Sequence, residues 1–221
     1  MRRALPDEPE PGSYSCLRMN QSPDRRARRL VAMALLLVGS AVSAGPQDDA
    51  TRVRLGNGEI VVEVVPGEPM PFLTVQGVVD AAPELVWDVV SHCGLYRGRM
   101  PRIVDSEELA PAGGFVRCRT VVETVWPMSN LTSITRAVHT VGPGVWKREW
   151  ALESGDFVFN EGSWTLTPFD AAATRTLVVY RLHAEANVPV PRVMQQVAQK
   201  HALPETLAAV RRVVAGMAKR D

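Results

Sequence analysis

Apolar residues recur at alternating steps of four and three along the C-terminal end of the chain, and charged residues fall outside this pattern. The spacing places one apolar stripe along a helix, which we predict over residues 188–219. Because Pro204 lacks a backbone donor and crowds the preceding turn, we expect a kink or break near residues 201–203. The stripe contains Leu203, Leu207, Val210, Val214 and Met217.

Upstream of this helix, apolar and polar residues alternate in strand-like runs. Seven strands are predicted, over residues 72–79, 103–110, 115–126, 131–141, 145–152, 157–168 and 174–186. In the second half of the chain each run has one apolar face and one charged face, which is typical of an antiparallel sheet covered on one side. The C-terminal helix is the main element able to cover that face.

The pattern predicts a hairpin at the start of the folded part. Residues 52–55 and 59–65 are rich in β-branched side chains and flank Gly56, Asn57 and Gly58, which is a typical hairpin turn sequence. Pro83 predicts the first turn of a short helix over residues 83–91. We therefore divide the chain into a leader (1–44), a hairpin and linker (45–70) and a main domain (71–219).

The first 44 residues have the features of a leader. Residues 1–24 are rich in Pro, Ser and charge, and we predict that they are disordered. Four arginines then precede the apolar run 30–38, which leads to small residues ending at Ala44. This order predicts a secretory signal cleaved after Ala44, with the protein exported to the periplasm or secreted. The alternatives are an uncleaved anchor and a translation start at Met19.

The charge of the chain does not favour a nucleic-acid partner. The chain has a formal net charge of +1 and is 46% hydrophobic and 22% charged. The leader contains seven arginines and four acidic residues, so the remainder has 18 basic residues against 20 acidic ones. This balance gives no electrostatic reason to expect nucleic-acid binding.

Several segments resemble the START-like (SRPBCC) superfamily, and within it the polyketide cyclase/dehydrase and coenzyme Q-binding START-like groups. The resemblance covers about residues 72–214, and it departs from the usual pattern at residues 91–94, where family members have an Asp before an aromatic residue. It implies an α+β helix-grip fold, in which a curved antiparallel β-sheet wraps around a long C-terminal α-helix. It also implies that apolar ligands bind between helix and sheet. The segments are residues 79–87, 96–101, 162–168, 174–176 and 203–207.

The residues show no catalytic set. The four histidines have no recognisable metal-ligand spacing, and we predict no metal or cofactor site. His183 lies on the charged face of its strand and is expected at the surface. Glu161 is interpreted as a solvated carboxylate, with a role as a lone acid or base as the alternative.

The covered face supplies candidate ligand-binding residues. They either line a cavity or fill a solid core. Arg148 shares this face, so it needs a carboxylate partner, a ligand's polar head or an exposed strand end, and we favour the strand end. The candidates are Met100, Trp126, Arg148, Trp150, Trp164, Val178, Tyr180 and Met194.

Cys93 and Cys118 remain after removal of the leader. In an exported protein they either form a disulfide or remain buried thiols, and the sequence leaves this open.

Two functions therefore compete. One is a monomeric carrier of an apolar small molecule or lipid, such as a quinone, in transient contact with a membrane. The other is a cyclase or dehydratase that acts on a polyketide-like substrate in the same cavity. The missing acid/base pair favours the carrier.

Overall fold

The computed structural model describes residues 46–124 and 126–219. The predicted disordered stretch, signal and cleavage site lie outside these residues. The elements are α1 (Pro46–Gly56), β1 (Val61–Val65), β2 (Phe72–Val79), α2 (Pro83–Ser91), a 3₁₀ turn (Cys93–Leu95), β3 (Ile103–Ala112), β4 (Phe115–Val122), β5 (Leu131–Gly142), β6 (Val145–Gly155), β7 (Phe157–Pro168), β8 (Thr176–Ala186) and α3 (Arg192–Met217).

The eight strands form one antiparallel sheet in the order β1-β2-β8-β7-β6-β5-β4-β3. Strands β3 to β8 follow one another as a meander, and β8 then pairs with β2. Helix α3 packs against β2 and β8. This arrangement confirms the predicted α+β helix-grip fold, and the bounds of β2, α2 and β7 agree with the sequence pattern.

The predicted N-terminal hairpin is wrong, because residues 52–55 belong to helix α1. Leu55 is buried against Val78 and Phe169 on the side of the sheet opposite α3. The Arg52 guanidinium lies 4.5 Å from the centre of the Phe169 ring and donates to its backbone carbonyl. These long-range contacts override the local strand preference of the segment.

Helix α3 is continuous from Arg192 to Met217, although Pro204 lies inside it. The expected break is therefore absent. Pro204 still contributes no backbone N–H, so the carbonyl one turn earlier receives no bond from this position. Within the described residues, no helix combines the length and apolarity needed to cross a membrane.

The second half of α3 packs on a solid core. Gly77 on β2 permits close approach, because a Cβ at this position would lie 2.6 Å from the Leu207 side chain. We call this part of the molecule, between the sheet and α3 beyond Pro204, the filled half. Its buried side chains include Leu166, Val178, Leu207, Val210 and Val214.

Candidate functional site

A cavity of about 270 Å³ lies between the sheet and the middle of α3, from Gln199 to Thr206, and we call this part of the molecule the open half. Strands β4 to β8 supply one wall and the segment after α2 supplies another. From α3, Gln199, Ala202, Leu203 and Thr206 face the cavity at helical spacing. Most lining side chains are apolar or aromatic.

Five of the eight predicted residues line this cavity. Trp164 and Tyr180 stack with ring centres 4.0 Å apart, and Trp150 lies 6.0 Å from Tyr180. Together these rings form an aromatic wall. The five residues are Met100, Arg148, Trp150, Trp164 and Tyr180.

The Trp150 ring is held in place by its neighbours. Its indole N–H donates to Asn160 Oδ1 at 3.2 Å, and the Asn160 amide donates to Ser133 Oγ at 3.1 Å. The ring lies over Gly162, where any Cβ would overlap it. The absence of a side chain at position 162 therefore fixes this side of the cavity wall.

The other three predicted residues do not line the cavity. Val178 is completely buried in the filled half. Trp126 follows the end of β4 by four residues and is 92% exposed. Met194 is 60% exposed, because it precedes Leu203 by about two and a half helical turns and so points to the opposite side of α3.

Asn160 and Gln199 line the cavity but were not among the predicted residues. Their positions in the sequence pattern indicate that both face the cavity. Asn160 has the strand parity of Trp164, and Gln199 lies one turn before Leu203. They were not predicted because the covered face is identified from apolar residues, and both side chains are polar.

Arg148 is only 3% exposed, so the expected strand-end position is wrong. It lies within β6, between His139 on β5 and Trp164 on β7. Its guanidinium donates to the Ser91 carbonyl at 2.7 Å, to His139 Nε2 at 3.0 Å and to Cys118 Sγ at 2.9 Å. Across the described ranges, no carboxylate lies within ion-pair distance of it.

Burial favours the neutral forms of the histidine and the two tyrosines near Arg148. Burial, reinforced by the positive charge of Arg148, lowers the pKa of His139 to about 4, so its ring accepts from Arg148 at neutral pH. Burial raises the pKa of Tyr180 and of Tyr96. The Tyr96 hydroxyl donates to the Val90 carbonyl at 2.6 Å. Arg148 is thus the formal charge buried in the cavity wall.

A disulfide joins Cys93, in the 3₁₀ turn, to Cys118 on β4. The sequence left open whether these cysteines form a disulfide or remain buried thiols, and the structure contains the disulfide. Both residues line the cavity, so the bridge ties the segment after α2 to the sheet at the open half.

His183 is buried on the opposite face of the sheet, so its expected surface position is wrong. It is 7% exposed and stacks on Phe72 with ring centres 4.1 Å apart. One ring nitrogen lies 2.9 Å from Glu161 Oε1 and the other lies 2.9 Å from the Met70 carbonyl. Glu161 therefore has a partner in His183, and His183 holds the β1–β2 connection against the sheet, outside the cavity.

Comparisons with known proteins agree with this architecture. The family described as polyketide cyclase/dehydrase and lipid transport matches residues 79–211. No curated protein shows significant sequence similarity to the chain.

Solved structures share the fold at low identity. A STAR-related lipid transfer protein from Xanthomonas axonopodis is 22% identical, with a TM-score of 0.58 over 71% of this chain and 92% of that one. Human StAR-related lipid transfer protein 5 is 18% identical, with a TM-score of 0.64 over 74% and 85%. The Zhui aromatase/cyclase from Streptomyces sp. R1128 is 19% identical, with a TM-score of 0.51 over 67% and 93%.

Proposed function

Because the chain belongs to the polyketide cyclase/dehydrase and lipid transport family, we propose that it is an exported protein that binds and carries an apolar ligand. The cavity in the open half carries this proposal. It lies between the sheet and α3, and its wall is mainly aromatic and aliphatic. Such a cavity removes apolar surface from water without requiring any chemistry.

The chemistry of the wall favours binding over catalysis. Among the described residues that line the cavity there is no carboxylate and no imidazole. The two tyrosines hold their protons because burial raises their pKa. The wall can therefore donate hydrogen bonds, but it offers no side chain suited to remove a proton at neutral pH.

The alternative is an enzyme of the cyclase or dehydratase type. It is supported by the fold shared with an aromatase/cyclase and by Arg148, which could polarise a carbonyl group in the cavity. Turnover of a bound polyketide-like substrate would establish it.

Exposed apolar residues support transient contact with a membrane. Val193, Met194 and Val197 are exposed at the start of α3. The antiparallel order places the β4–β5 loop, with the exposed Trp126, at the same edge of the sheet. We propose that this apolar edge meets the bilayer when a ligand is exchanged. Sedimentation with lipid vesicles should decrease in the Met194→Ser variant, and unchanged sedimentation would contradict the contact.

Native mass spectrometry of protein purified from its own host tests the proposal. We expect a chain that begins at Gly45 and carries one apolar molecule, which is released on denaturation. A chain that retains residues 1–44 would contradict cleavage and export. Release of a chemically converted product would favour the enzyme.

A pair of variants tests whether the cavity holds the ligand. Ala184 lines the cavity, so Ala184→Phe should fill part of it and abolish copurification of the ligand. Ala151 is exposed on β6, so Ala151→Phe adds the same bulk outside the cavity and should retain the ligand. Equal retention by both folded variants would place the ligand elsewhere.

A further inference from the structure

Arg148 is a buried cation at the cavity wall whose hydrogen-bond partners are neutral. Removing a charge from water is costly unless another charge or a full set of hydrogen bonds compensates it. A guanidinium has five N–H donors, and within the described residues the structure assigns three hydrogen bonds to Arg148. Two donors and the net positive charge remain uncompensated by this part of the protein.

We propose that the cavity takes the ionised carboxylate head of a long-chain apolar acid, with Arg148 as its counterion and the aromatic wall around its chain. This inference rests on the proposed function and names the ligand class of the same cavity. A carboxylate has two acceptor oxygens and one negative charge, which match the two remaining donors and the single buried cation.

The surroundings of Arg148 make one negative charge the best match. His139 is neutral at physiological pH and accepts from Arg148, so it adds no second positive charge. The disulfide keeps Cys118 from becoming a thiolate, which would compete for the guanidinium. Arg148 alone would leave one charge of a doubly ionised phosphate head uncompensated inside the cavity.

The volume of the cavity favours a ligand with a single chain. At about 270 Å³ it is near the lower end of ligand pockets, which span about 300–1,000 Å³. This volume suits one alkyl or polyketide-like chain better than a two-chain phospholipid, and Trp150, Trp164 and Tyr180 would line that chain.

Binding of dodecanoic acid and dodecan-1-ol tests the proposal, because the two differ only in the head group. At neutral pH, calorimetry should show that the unmodified protein binds the acid about 10- to 100-fold more tightly than the alcohol. Arg148→Met should lose this preference and keep its affinity for the alcohol. If the unmodified protein binds neither compound, the carrier function itself fails. If it binds both equally, only the assignment of the head group fails.

Arg102 provides a matched control, since it lines the same cavity but is exposed. Arg102→Met should retain the preference for the acid. Loss of the preference in Arg102→Met, with retention in Arg148→Met, would place the carboxylate at the mouth and overturn the proposal.

A measurement on the unmodified protein covers the case in which Arg148→Met does not fold. Dodecanoic acid labelled with ¹³C at the carboxyl carbon reports ionisation through its chemical shift. Beside Arg148, its pKa should be lower in the complex than in free solution. A raised pKa would mean that the head lies in an apolar part of the cavity, and it would overturn the proposal.

Discussion

The filled half and the open half lie under one helix and against one sheet, yet the cavity with the aromatic wall lies in the open half. Beyond Pro204, α3 presents Leu207, Val210 and Val214, which fill the space against the sheet. Towards the cavity it presents Gln199, Ala202, Leu203 and Thr206, which leave space in front of the aromatic wall. The comparison teaches that the cavity depends on the side chains of the helix as well as on the curvature of the sheet.

The largest expected difference between the halves concerns leucine truncation. Leu207→Ala should destabilise the protein by about 2–5 kcal/mol, because it leaves a void in a packed core. Leu182 already borders the cavity, so Leu182→Ala should lie at or below the bottom of that range. Urea unfolding monitored by circular dichroism measures both. Equal losses would mean that the two halves are packed alike.

The second prediction concerns the disulfide, which supports the open half where packing is incomplete. The bridge closes a loop with a sequence separation of 25 residues, and its reduction should lower the free energy of unfolding by about 3 kcal/mol. Denaturation with and without a dithiol reductant measures this, and Cys93→Ser/Cys118→Ser is the matched variant. Two free thiols in denatured, unreduced mature protein would contradict the bridge.

The smallest expected effect is a pH dependence of the free energy of unfolding, which arises from His139 beside Arg148 in the open half. The unfolded chain binds a proton at His139 near the ordinary pKa of 6.5, whereas the folded protein does so only near 4. Stability should therefore fall as the pH decreases from 6.5 to about 4. His139→Gln should flatten this slope, and Leu207→Ala should leave it unchanged. A slope that persists in folded His139→Gln would assign the effect to another group.

Local patterns predicted most of the fold, because strand alternation and helical spacing report directly which face is covered. They failed where distant residues decide the environment. Residues 52–55 form a helix because Leu55 packs against Phe169, which lies more than a hundred residues later in the sequence. His183 is buried because the Met70 segment covers it.

The candidate site was predicted only in part, for similar reasons. The parity of β6 placed Arg148 on the covered face, but its burial within the strand depends on Ser91 and His139, which are remote in sequence. The spacing between Met194 and Leu203 is enough to indicate that Met194 lies on the opposite side of α3. Trp126 lies outside the cavity because β4 ends at Val122, four residues before it.

Pro204 lies where the open half gives way to the filled half, and this position has a kinetic consequence. Bending α3 there breaks one hydrogen bond fewer than bending it elsewhere, because proline donates none. We therefore expect any opening of α3 to be centred near Pro204, with the Gln195 and Gln199 hydrogen bonds to β8 breaking while Leu207 and Val210 stay packed. Such an opening would let a ligand enter and leave without global unfolding, so that slow unfolding and rapid exchange would coexist in the same protein.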